Sequence, residues 1–338
     1  MKENKVILVT GATGLIGSHI VDNLMKNEQN TVVALSRNEE KLKNGFKEYL
    51  QLDNFKYIAS DITEDIQDKL DGYKIDYIFH AASPMEGKVI QNFPVNVITP
   101  NLNGTINCLE ILRKQKEKEN YKGRLILFSS VTVYANATDH DVIVSEEDTN
   151  VTEKLDSISA AYSQAKRMSE VIAQAYRRQY DVDVVIARLS TVYGNTRFKP
   201  DTAFFQFINT ALNHNDIIMN SSGIGRRDNI YIDDAVDGLI KICNLGENGQ
   251  AYNISSNGDL GNYLAIDEIG QAIIDDVNLR GANVKLIYRE NEQQQRKPGL
   301  RMDNSKLKKL GWDIQTNFKE GIHKTISEII KENDNSIQ

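Results

Sequence analysis

Short apolar runs alternate with amphipathic stretches of helical length through the first half of the chain. The runs are rich in Val, Ile and Leu at consecutive positions, so both of their faces are expected to be buried. Strands buried on both faces and separated by helices are typical of a parallel sheet, and right-handed crossovers then predict a doubly wound open sheet. The predicted strands are residues 5–10, 31–35, 55–59, 76–80, 124–129 and 183–189, and the predicted helices include residues 15–26, 101–114 and 160–180.

The pattern changes after Gly194, where helical stretches are joined by longer polar loops. Residues 251–254 are predicted as one more strand, which returns to the first sheet. We therefore expect an N-terminal domain over residues 1–192, with a returning segment near residues 229–256, and a smaller, mostly helical lobe over residues 193–338. The predicted helices of this lobe are residues 204–212, 232–243, 265–274 and 318–330.

Composition and charge exclude several classes of protein. Of the 338 residues, 40% are hydrophobic and 26% are charged, which is typical of a globular chain rather than a disordered or fibrous one. The net charge is −7 and no basic patch is visible, so we expect no nucleic-acid partner. Targeting segments and apolar stretches approaching the roughly 20 residues of a membrane helix are not visible. Cys108 and Cys243 suit a reducing compartment, so we expect a cytoplasmic protein without a metal site or membrane contact.

A glycine-rich turn, Thr10-Gly-Ala-Thr-Gly-Leu-Ile-Gly17, joins the first predicted strand to the first predicted helix. Gly11 permits the tight turn, Gly14 lets backbone N–H groups approach a diphosphate, and Gly17 allows the helix and the sheet to pack closely. The helix N-terminus presents free N–H donors to that diphosphate. The alternative is a turn that is rich in glycine and binds nothing. The position of the turn, between a buried strand and a helix, favours a Rossmann-type dinucleotide-binding domain. Its predicted cofactor contacts are Gly11, Thr13, Gly14, Leu15, Ile16 and Gly17.

The residues that end the next three strands complete the predicted cofactor site. An acidic residue after the second strand would bind the ribose 2′-hydroxyl of NAD and repel the 2′-phosphate of NADP. Ser36 and Arg37 stand there instead, and a guanidinium can face a phosphate or stack on adenine. The choice between NAD and NADP therefore leans slightly to NADP, with a solvated loop residue as the alternative for Arg37. The other predicted cofactor contacts are Asp61, Ile62, His80, Ala81 and Ala82.

Three further motifs are Asn101 in Asn-Leu-Asn-Gly-Thr, the run Ser129-Ser-Val-Thr-Val-Tyr134, and Tyr162-Ser-Gln-Ala-Lys166. With the glycine turn, they resemble the extended short-chain dehydrogenase/reductase superfamily, and more closely the NAD-dependent epimerase/dehydratase family. The resemblance spans residues 5–330. It implies a nucleotide-diphosphate sugar as partner and a role in cell-surface polysaccharide biosynthesis. It also places Asn101 near the cofactor, where the alternative is a buried amide that satisfies backbone groups.

Tyr162 and Lys166 lie four residues apart on a predicted helix, and hence on one face of it. A nearby ammonium favours the phenolate, so we expect Lys166 to lower the pKa of Tyr162 towards neutral pH. The resemblance implies that Tyr162 and Lys166 both contact the cofactor, and that the lysine holds the nicotinamide ribose. It selects Ser130 as the third catalytic residue, whose hydroxyl would bind the reacting sugar oxygen. Ser129 is expected to cap the strand end.

The reaction type has several candidates. Hydride removal from a sugar carbon, with Tyr162 as the base, yields a keto sugar, and return of the hydride to the other face gives epimerisation. Family dehydratases carry Asp-Glu after the catalytic hydroxyl residue and family decarboxylases a glutamate, whereas this chain has Val131 and Thr132. We therefore expect a nucleotide-sugar epimerase, acting at C4. The alternatives are an NADPH-dependent keto-sugar reductase, a dehydratase or decarboxylase, and, with least support, a non-catalytic dinucleotide sensor.

The resemblance also assigns the substrate side. Residues 225–234 resemble the family segment Gly-x-x-x-Arg-Asp-x-x-x-Val-Asp-Asp, in which Arg227 would fork onto the diphosphate. Arg296 matches a second family arginine, with shortened spacing after it, and a surface ion pair is the alternative for both arginines. The other predicted substrate contacts are Ser83, Met85, Ser130 and Thr191, the last of which replaces a family asparagine.

Family members often dimerise through a four-helix bundle, which here would contain helices 101–114 and 160–180. The second helix carries apolar residues that allow a homodimer through this face or, alternatively, face the sheet. They are Met168, Val171, Ile172 and Ala175.

Overall fold

The computed structural model describes residues 4–134, 141–148, 153–200, 202–219, 222–289 and 299–337. The strands are β1 (Val6–Thr10), β2 (Thr31–Ser36), β3 (Phe55–Ala59), β4 (Tyr77–His80), β5 (Arg124–Ser130), β6 (Val142–Val144), β7 (Asp183–Leu189), β8 (Thr191–Tyr193), β9 (Ile217–Met219), β10 (Arg226–Tyr231), β11 (Ala251–Ile254), β12 (Tyr263–Ala265), β13 (Leu286–Tyr288) and β14 (Leu300–Met302). The helices are α1 (Leu15–Met25), α2 (Glu39–Gly45), α3 (Gly87–Asn92), α4 (Val95–Glu119), α5 (Ala160–Tyr180), α6 (Ala203–Leu212), α7 (Ile232–Leu245), α8 (Ile266–Leu279), α9 (Ser305–Lys308) and α10 (Phe318–Ile337).

In the described part of the chain, seven strands form one parallel sheet in the order β11-β7-β5-β4-β1-β2-β3. The chain moves outward from β1 to β3, crosses back to β4, and continues through β5 and β7 to β11. The order therefore reverses between β1 and β4, and ligands of such sheets bind at the carboxyl ends of the strands near that point. The prediction of a doubly wound parallel sheet is confirmed, and residues 251–254 join it as the edge strand β11.

Alternate residues of the central strands are buried in two separate clusters, one on each face of the sheet. In β1, Ile7 and Val9 belong to the cluster that contains Ile20 of α1, whereas Leu8 belongs to the cluster that contains Leu109 of α4. Each fully buried aliphatic side chain of this kind contributes about 1.5–3 kcal/mol. Burial on both faces explains the continuous apolar runs and fixes the strand ends on which the site is built.

The four helices predicted after Gly194 are present as α6, α7, α8 and α10, together with small sheets that the sequence did not predict. Among the described residues these are β12-β10-β8, β13-β9 and β14-β6. Because β6 follows β5 closely in the chain, its pairing with β14 joins the two halves of the molecule. Helix α4 begins at Val95, before the predicted residue 101, and runs through Pro100. Within the described ranges we find no helix that is long and apolar enough to span a membrane.

Candidate active site

The glycine-rich turn between β1 and α1 is too crowded for side chains. Gly11 has φ +66°, and a Cβ added there would lie 2.7 Å from the Ala82 nitrogen. A Cβ on Gly17 would lie 2.2 Å from the Gly11 carbonyl oxygen. The close packing that requires a glycine at position 17 is therefore against the turn's own backbone. The Gly14 N–H donates to the same carbonyl at 2.9 Å. Since α1 begins at Leu15, the N–H groups of its first turn have no helical carbonyl to bind, and the cradle fits a diphosphate.

The carboxyl ends of β2 and β3 hold the residues predicted to contact the adenine ribose. The hydroxyls of Thr13 and Ser36 share a hydrogen bond of 2.6 Å, which ties the glycine turn to the end of β2. The Arg37 guanidinium is 72% exposed and lies 4.0 Å from the Asp61 carboxylate, while Ile62 is buried. Arg37 can therefore turn towards a ligand, but the carboxylate beside it offsets part of its attraction for a 2′-phosphate.

His80 lies beneath the glycine turn and supports it. The imidazole is buried, and its Nδ1 shares a hydrogen bond of 2.8 Å with the Thr10 hydroxyl. Burial, together with the charge of Lys166, lowers the pKa of His80 to about 3, so the ring is neutral at pH 7. The Thr10 hydroxyl also accepts from the Ala82 N–H at 3.3 Å, and the Ala81 N–H donates to the Thr10 carbonyl at 3.2 Å. The segment from His80 to Ala82 thus holds the floor of the cradle.

Ser130, Tyr162 and Lys166 converge at the carboxyl end of β5. Ser130 is the last residue of β5, and the other two lie in the first two turns of α5. The hydroxyls of Ser130 and Ser83 lie close enough to the Tyr162 hydroxyl to lower its pKa. The Lys166 side-chain nitrogen donates to the Phe128 carbonyl at 2.8 Å and lies 5.8 Å from the centre of the Tyr162 ring. The structure therefore brings together the three residues predicted as catalytic.

The pKa of Tyr162 is raised in this structure, contrary to the expectation that Lys166 lowers it, because burial is the largest influence on the hydroxyl. Burial raises the pKa of Tyr162, and the neighbouring hydroxyls of Ser130 and Ser83 oppose only part of this effect. Burial also lowers the pKa of Lys166 to about 7, against the opposite influence of the Glu170 carboxylate. A lysine that is only partly charged near neutral pH does not hold a buried phenolate by itself.

Asn101 reaches the site through Ser83. The Ser83 hydroxyl donates to Asn101 Oδ1 at 3.0 Å, and Asn101 Nδ2 donates to the Val97 carbonyl at 2.7 Å. The buried amide therefore satisfies a backbone carbonyl of α4 and also holds Ser83 against Tyr162. This contact of Ser83 with the tyrosine was not predicted, and its only sequence signal is the position of Ser83 directly after the end of β4.

The predicted substrate residues lie on the neighbouring strands and loops. Arg227, on β10, is exposed, and within the described ranges no carboxylate lies at ion-pair distance from it; Nη1 donates to the Arg226 carbonyl at 3.0 Å. Thr191, on β8, is exposed and pairs in register with Asn229 of β10. Met85 is 64% exposed in the loop before α3. Arg296 lies outside the described residues.

Asp228, next to Arg227 on β10, is a buried carboxyl that joins three segments of the substrate side. It accepts hydrogen bonds from the Ser256 hydroxyl and, at 3.3 Å, from the Met302 N–H. Burial raises the pKa of Asp228 from 3.8 to about 6. The folded protein therefore holds the Asp228 proton more tightly than the unfolded chain does. The stability that this proton contributes is fully present below the pKa of the unfolded chain and is lost as the pH rises through the pKa of the folded protein.

Replacing Asp228 by asparagine should therefore favour the folded state more at high pH than at low pH. We expect the free energy of unfolding of Asp228→Asn, relative to the natural chain, to rise by about 2–3 kcal/mol between about pH 4 and about pH 7.5. Urea denaturation at both pH values measures it, and the exposed Asp237→Asn on α7 is the matched control. A difference that stays constant with pH would show that Asp228 ionises normally.

Comparisons with known proteins agree with this arrangement. The family model described as NAD dependent epimerase/dehydratase family matches residues 7–255. Among curated relatives, UDP-glucuronic acid decarboxylase 6 of Arabidopsis thaliana is 28% identical over 326 residues, and the match covers 95% of this chain and 88% of that protein. The family model thus spans the whole glycine turn, the Ser130–Tyr162–Lys166 cluster and Arg227.

Solved structures share the same fold. UDP-glucose 4-epimerase of Thermotoga maritima, determined with UDP-glucose, has a TM-score of 0.78 at 21% identity, covering 97% of this chain and 99% of that one. A dTDP-glucose 4,6-dehydratase of Bacillus anthracis, in complex with NAD, has a TM-score of 0.79 at 20% identity and covers 98% of each chain. Together with the family match, these findings show that the protein is an enzyme of the NAD-dependent epimerase/dehydratase family with a Rossmann-type fold.

Proposed function

We propose that the protein is a nucleotide-sugar epimerase, which oxidises a sugar hydroxyl, at C4, to a transient keto sugar and returns the hydride to the other face. The observation that carries the proposal is the placement of Ser130 beside the Tyr162 hydroxyl, with Val131 and Thr132 directly after Ser130 in sequence. Neither of these two residues can act as the acid or base that elimination of water requires. Return of the hydride is therefore the outcome that the side chains best support.

The side chains divide the chemistry between them. Tyr162 takes the proton of the reacting hydroxyl as the sugar carbon is oxidised and gives it back when the carbonyl is reduced. Ser130 donates a hydrogen bond to the sugar oxygen on which charge develops. Lys166, in its charged form, favours the Tyr162 phenolate and binds the nicotinamide ribose. NAD or NADP, when bound, supplies the hydride acceptor, and the cradle of residues 11–17 holds its diphosphate.

A decarboxylase is the second candidate, because the Arabidopsis relative is by its name an enzyme of UDP-glucuronic acid. Oxidation at C4 beside a C5 carboxylate makes a β-keto acid, which loses carbon dioxide and then needs an acid to protonate C5. Val131 and Thr132 do not supply that acid. An NADPH-dependent keto-sugar reductase is a third candidate, and the pair Ser36 and Arg37 favours it.

One assay separates these outcomes. The purified protein is incubated with UDP-, dTDP-, GDP- and CDP-sugars, including UDP-glucuronic acid, and products are followed by NMR. We expect a C4 epimer with no net change in absorbance at about 340 nm, because an epimerase returns its hydride. Release of carbon dioxide would identify a decarboxylase, and loss of about one NADPH per product would identify a reductase. Absence of turnover with the cofactor bound would count against the proposal.

For the cofactor we infer NAD or NADP, with the lean to NADP that Ser36 and Arg37 support. Arg37 is exposed and able to meet a 2′-phosphate, while the Asp61 carboxylate at 4.0 Å works against that phosphate. Mass spectrometry of the nucleotide released on denaturation distinguishes the two. Retained NAD would support an epimerase, whereas a loosely bound NADP would favour a reductase.

Arg227 is proposed as the diphosphate-binding arginine of the substrate. It is exposed, and no carboxylate at ion-pair distance competes for it within the described part of the chain. Replacing Arg227 by glutamine is expected to raise KM about 10-fold or more and to change kcat less than about 3-fold, because the diphosphate is bound equally before and during the reaction. Titration with the nucleoside diphosphate of the substrate measures the same loss, and exposed Arg178→Gln on α5 is the control. An unchanged KM would leave diphosphate binding to other residues.

We further propose a division into a cofactor domain over residues 1–192, with the segment near residues 229–256, and a substrate lobe over residues 193–338. The proposed homodimer would form through α4 and α5, which pack side by side. On α5, Met168 is 48% exposed and Val171 is 52% exposed, which supports an apolar contact there. Sedimentation of the natural chain and of Met168→Glu tests it: the variant is expected to be monomeric at concentrations where the natural chain is a dimer.

A further inference from the structure

A buried ion pair lies directly behind the catalytic cluster. The Arg188 guanidinium donates to both oxygens of the Glu170 carboxylate, with Nε at 3.0 Å from Oε1 and Nη2 at 2.7 Å from Oε2. The side chains of the two residues are 12% and 10% exposed. The Ser129 hydroxyl donates to the same Oε1 at 2.5 Å. The Glu170 carboxylate is therefore held in one orientation by three hydrogen bonds from two directions.

The topology places this pair against the reacting groups. Ser129 of β5 and Arg188 of β7 are register partners on neighbouring parallel strands, and Ser129 directly precedes Ser130. Glu170 lies four residues after Lys166 on α5, so both side chains extend from the same face of the helix. The pair thus fastens α5 to the carboxyl ends of β5 and β7 at the level of the catalytic lysine.

The groups around the Lys166 nitrogen differ in their effect on its charge. The Phe128 carbonyl accepts its hydrogen bond, and Tyr162 lies one turn earlier on α5. The charge of Lys166 also reaches His80 on β4, which is buried and neutral. Burial disfavours the ammonium, and the Glu170 carboxylate favours it. On its other side, Arg188 Nη1 donates to two uncharged oxygens, the Tyr134 hydroxyl at 2.8 Å and the Glu146 carbonyl at 3.0 Å.

We propose that Glu170, oriented by Arg188 and Ser129, is a positioning residue that keeps Lys166 protonated in the buried catalytic cluster. Its effect on turnover rests on the proposed function, in which the charged lysine favours the Tyr162 phenolate. Arg188 is needed because an isolated buried carboxylate would take up a proton and lose its effect. Ser129 is then more than a strand-end cap, because its hydroxyl binds the carboxylate oxygen that Arg188 also contacts.

The charge of Lys166 is measured directly by NMR on protein labelled with ¹³C at the lysine ε-carbon, without cofactor or sugar. Lys166→Met identifies the resonance by its loss. We expect the titration midpoint of Lys166 to fall by about one pH unit or more in Glu170→Gln, because the neighbouring negative charge is removed. Glu110→Gln is the matched control: this carboxylate also bridges α4 and α5, accepting from Arg113 and from the Tyr176 hydroxyl, but lies away from Lys166. It should leave the midpoint unchanged.

A second variant guards against a simple loss of folding. In Glu170→Gln alone, the buried Arg188 loses its counter-ion, whereas in Glu170→Gln/Arg188→Gln both charges are removed together. The double variant is expected to fold and to show a smaller fall in the Lys166 midpoint, because removal of the Arg188 charge opposes part of the effect. A midpoint equal to that of the natural chain in both variants would overturn the proposal and leave the pair with a structural role only.

The pH profile of kcat/KM gives a second readout once a substrate is known. Loss of the Lys166 proton sets the alkaline limb, so this limb is expected to move to lower pH in the double variant, with activity partly recovered as the pH falls. A structural role would lower activity equally at every pH. If no nucleotide sugar is turned over, the proposed function fails and the NMR titration still decides the role of Glu170.

Discussion

Replacing Tyr162 by phenylalanine is expected to lower turnover of the nucleotide sugar by a factor of about 10²–10⁴, which is the usual contribution of a general acid–base group. The substitution removes only the hydroxyl, which lies beside Ser130 and Ser83, and keeps the buried ring. Because the cradle for the diphosphate is formed by residues 11–17, and the buried ring of residue 162 is kept, the affinity for the dinucleotide should change by less than about 3-fold. The rate is measured by NMR of the epimer, and the affinity by titration of the dinucleotide into the protein.

Tyr176→Phe is the matched control for this experiment. Tyr176 lies on the same helix, and its hydroxyl donates to Glu110 at 2.7 Å, away from Ser130 and Lys166. We expect this variant to keep full activity. If Tyr162→Phe binds the dinucleotide normally and still keeps more than about a tenth of the activity, another group must move the proton, because loss of a true acid–base residue exceeds that factor.

The central sheet could be predicted because its strands are buried on both faces. The strand Val6–Thr10, for example, begins with four apolar residues in a row. Such continuous short runs are typical of strands in a parallel sheet that is covered on both faces. The small sheets of the C-terminal lobe could not be predicted. Strands such as β13 and β14 contain three residues each, too few to show an alternation, and their partners β9 and β6 are distant in sequence.

The start of α4 shows a second limit of the sequence. The apolar pattern predicts a helix from residue 101, whereas the structure begins it at Val95 and carries it through Pro100. A proline inside a helix removes one backbone donor and costs about 3 kcal/mol, so helical patterns are expected to begin after it. Of the added residues 95–100 only Val97 is buried, which is too few to form an apolar stripe that the sequence could reveal.

In the site, spacing predicted which side chains meet but not their charge. Tyr162 and Lys166 share a helix face, as four-residue spacing requires, yet the direction of the Tyr162 pKa depends on burial that no local pattern shows. Glu170 was missed for a related reason. Its sequence signal is an acid one helical turn after Lys166, but its partner Arg188 lies on a strand whose pairing with β5 is a property of the fold.

Replacing Gly17 by alanine is expected to weaken dinucleotide binding about 10-fold or more and to lower the free energy of unfolding by about 1–2 kcal/mol. Two effects compete. Alanine in a helix is favoured over glycine by about 1 kcal/mol, whereas overpacking at a crowded site costs about 1–3 kcal/mol. The second effect prevails here because the added Cβ would lie 2.2 Å from the Gly11 carbonyl oxygen. This oxygen belongs to the backbone, so no side-chain rotation relieves the clash, and the glycine turn itself has to move.

Gly87→Ala separates the two effects. Gly87 is the first residue of α3 and has open space around the position of an added Cβ, so this variant tests the helical preference without the clash. We expect Gly87→Ala to be as stable as the natural chain or slightly more stable, with unchanged dinucleotide affinity. Urea denaturation and titration of NAD and NADP measure both properties in the two variants. If Gly17→Ala matched Gly87→Ala in both, the cradle would tolerate a wider turn, and the diphosphate would depend on N–H groups other than those of the first turn of α1.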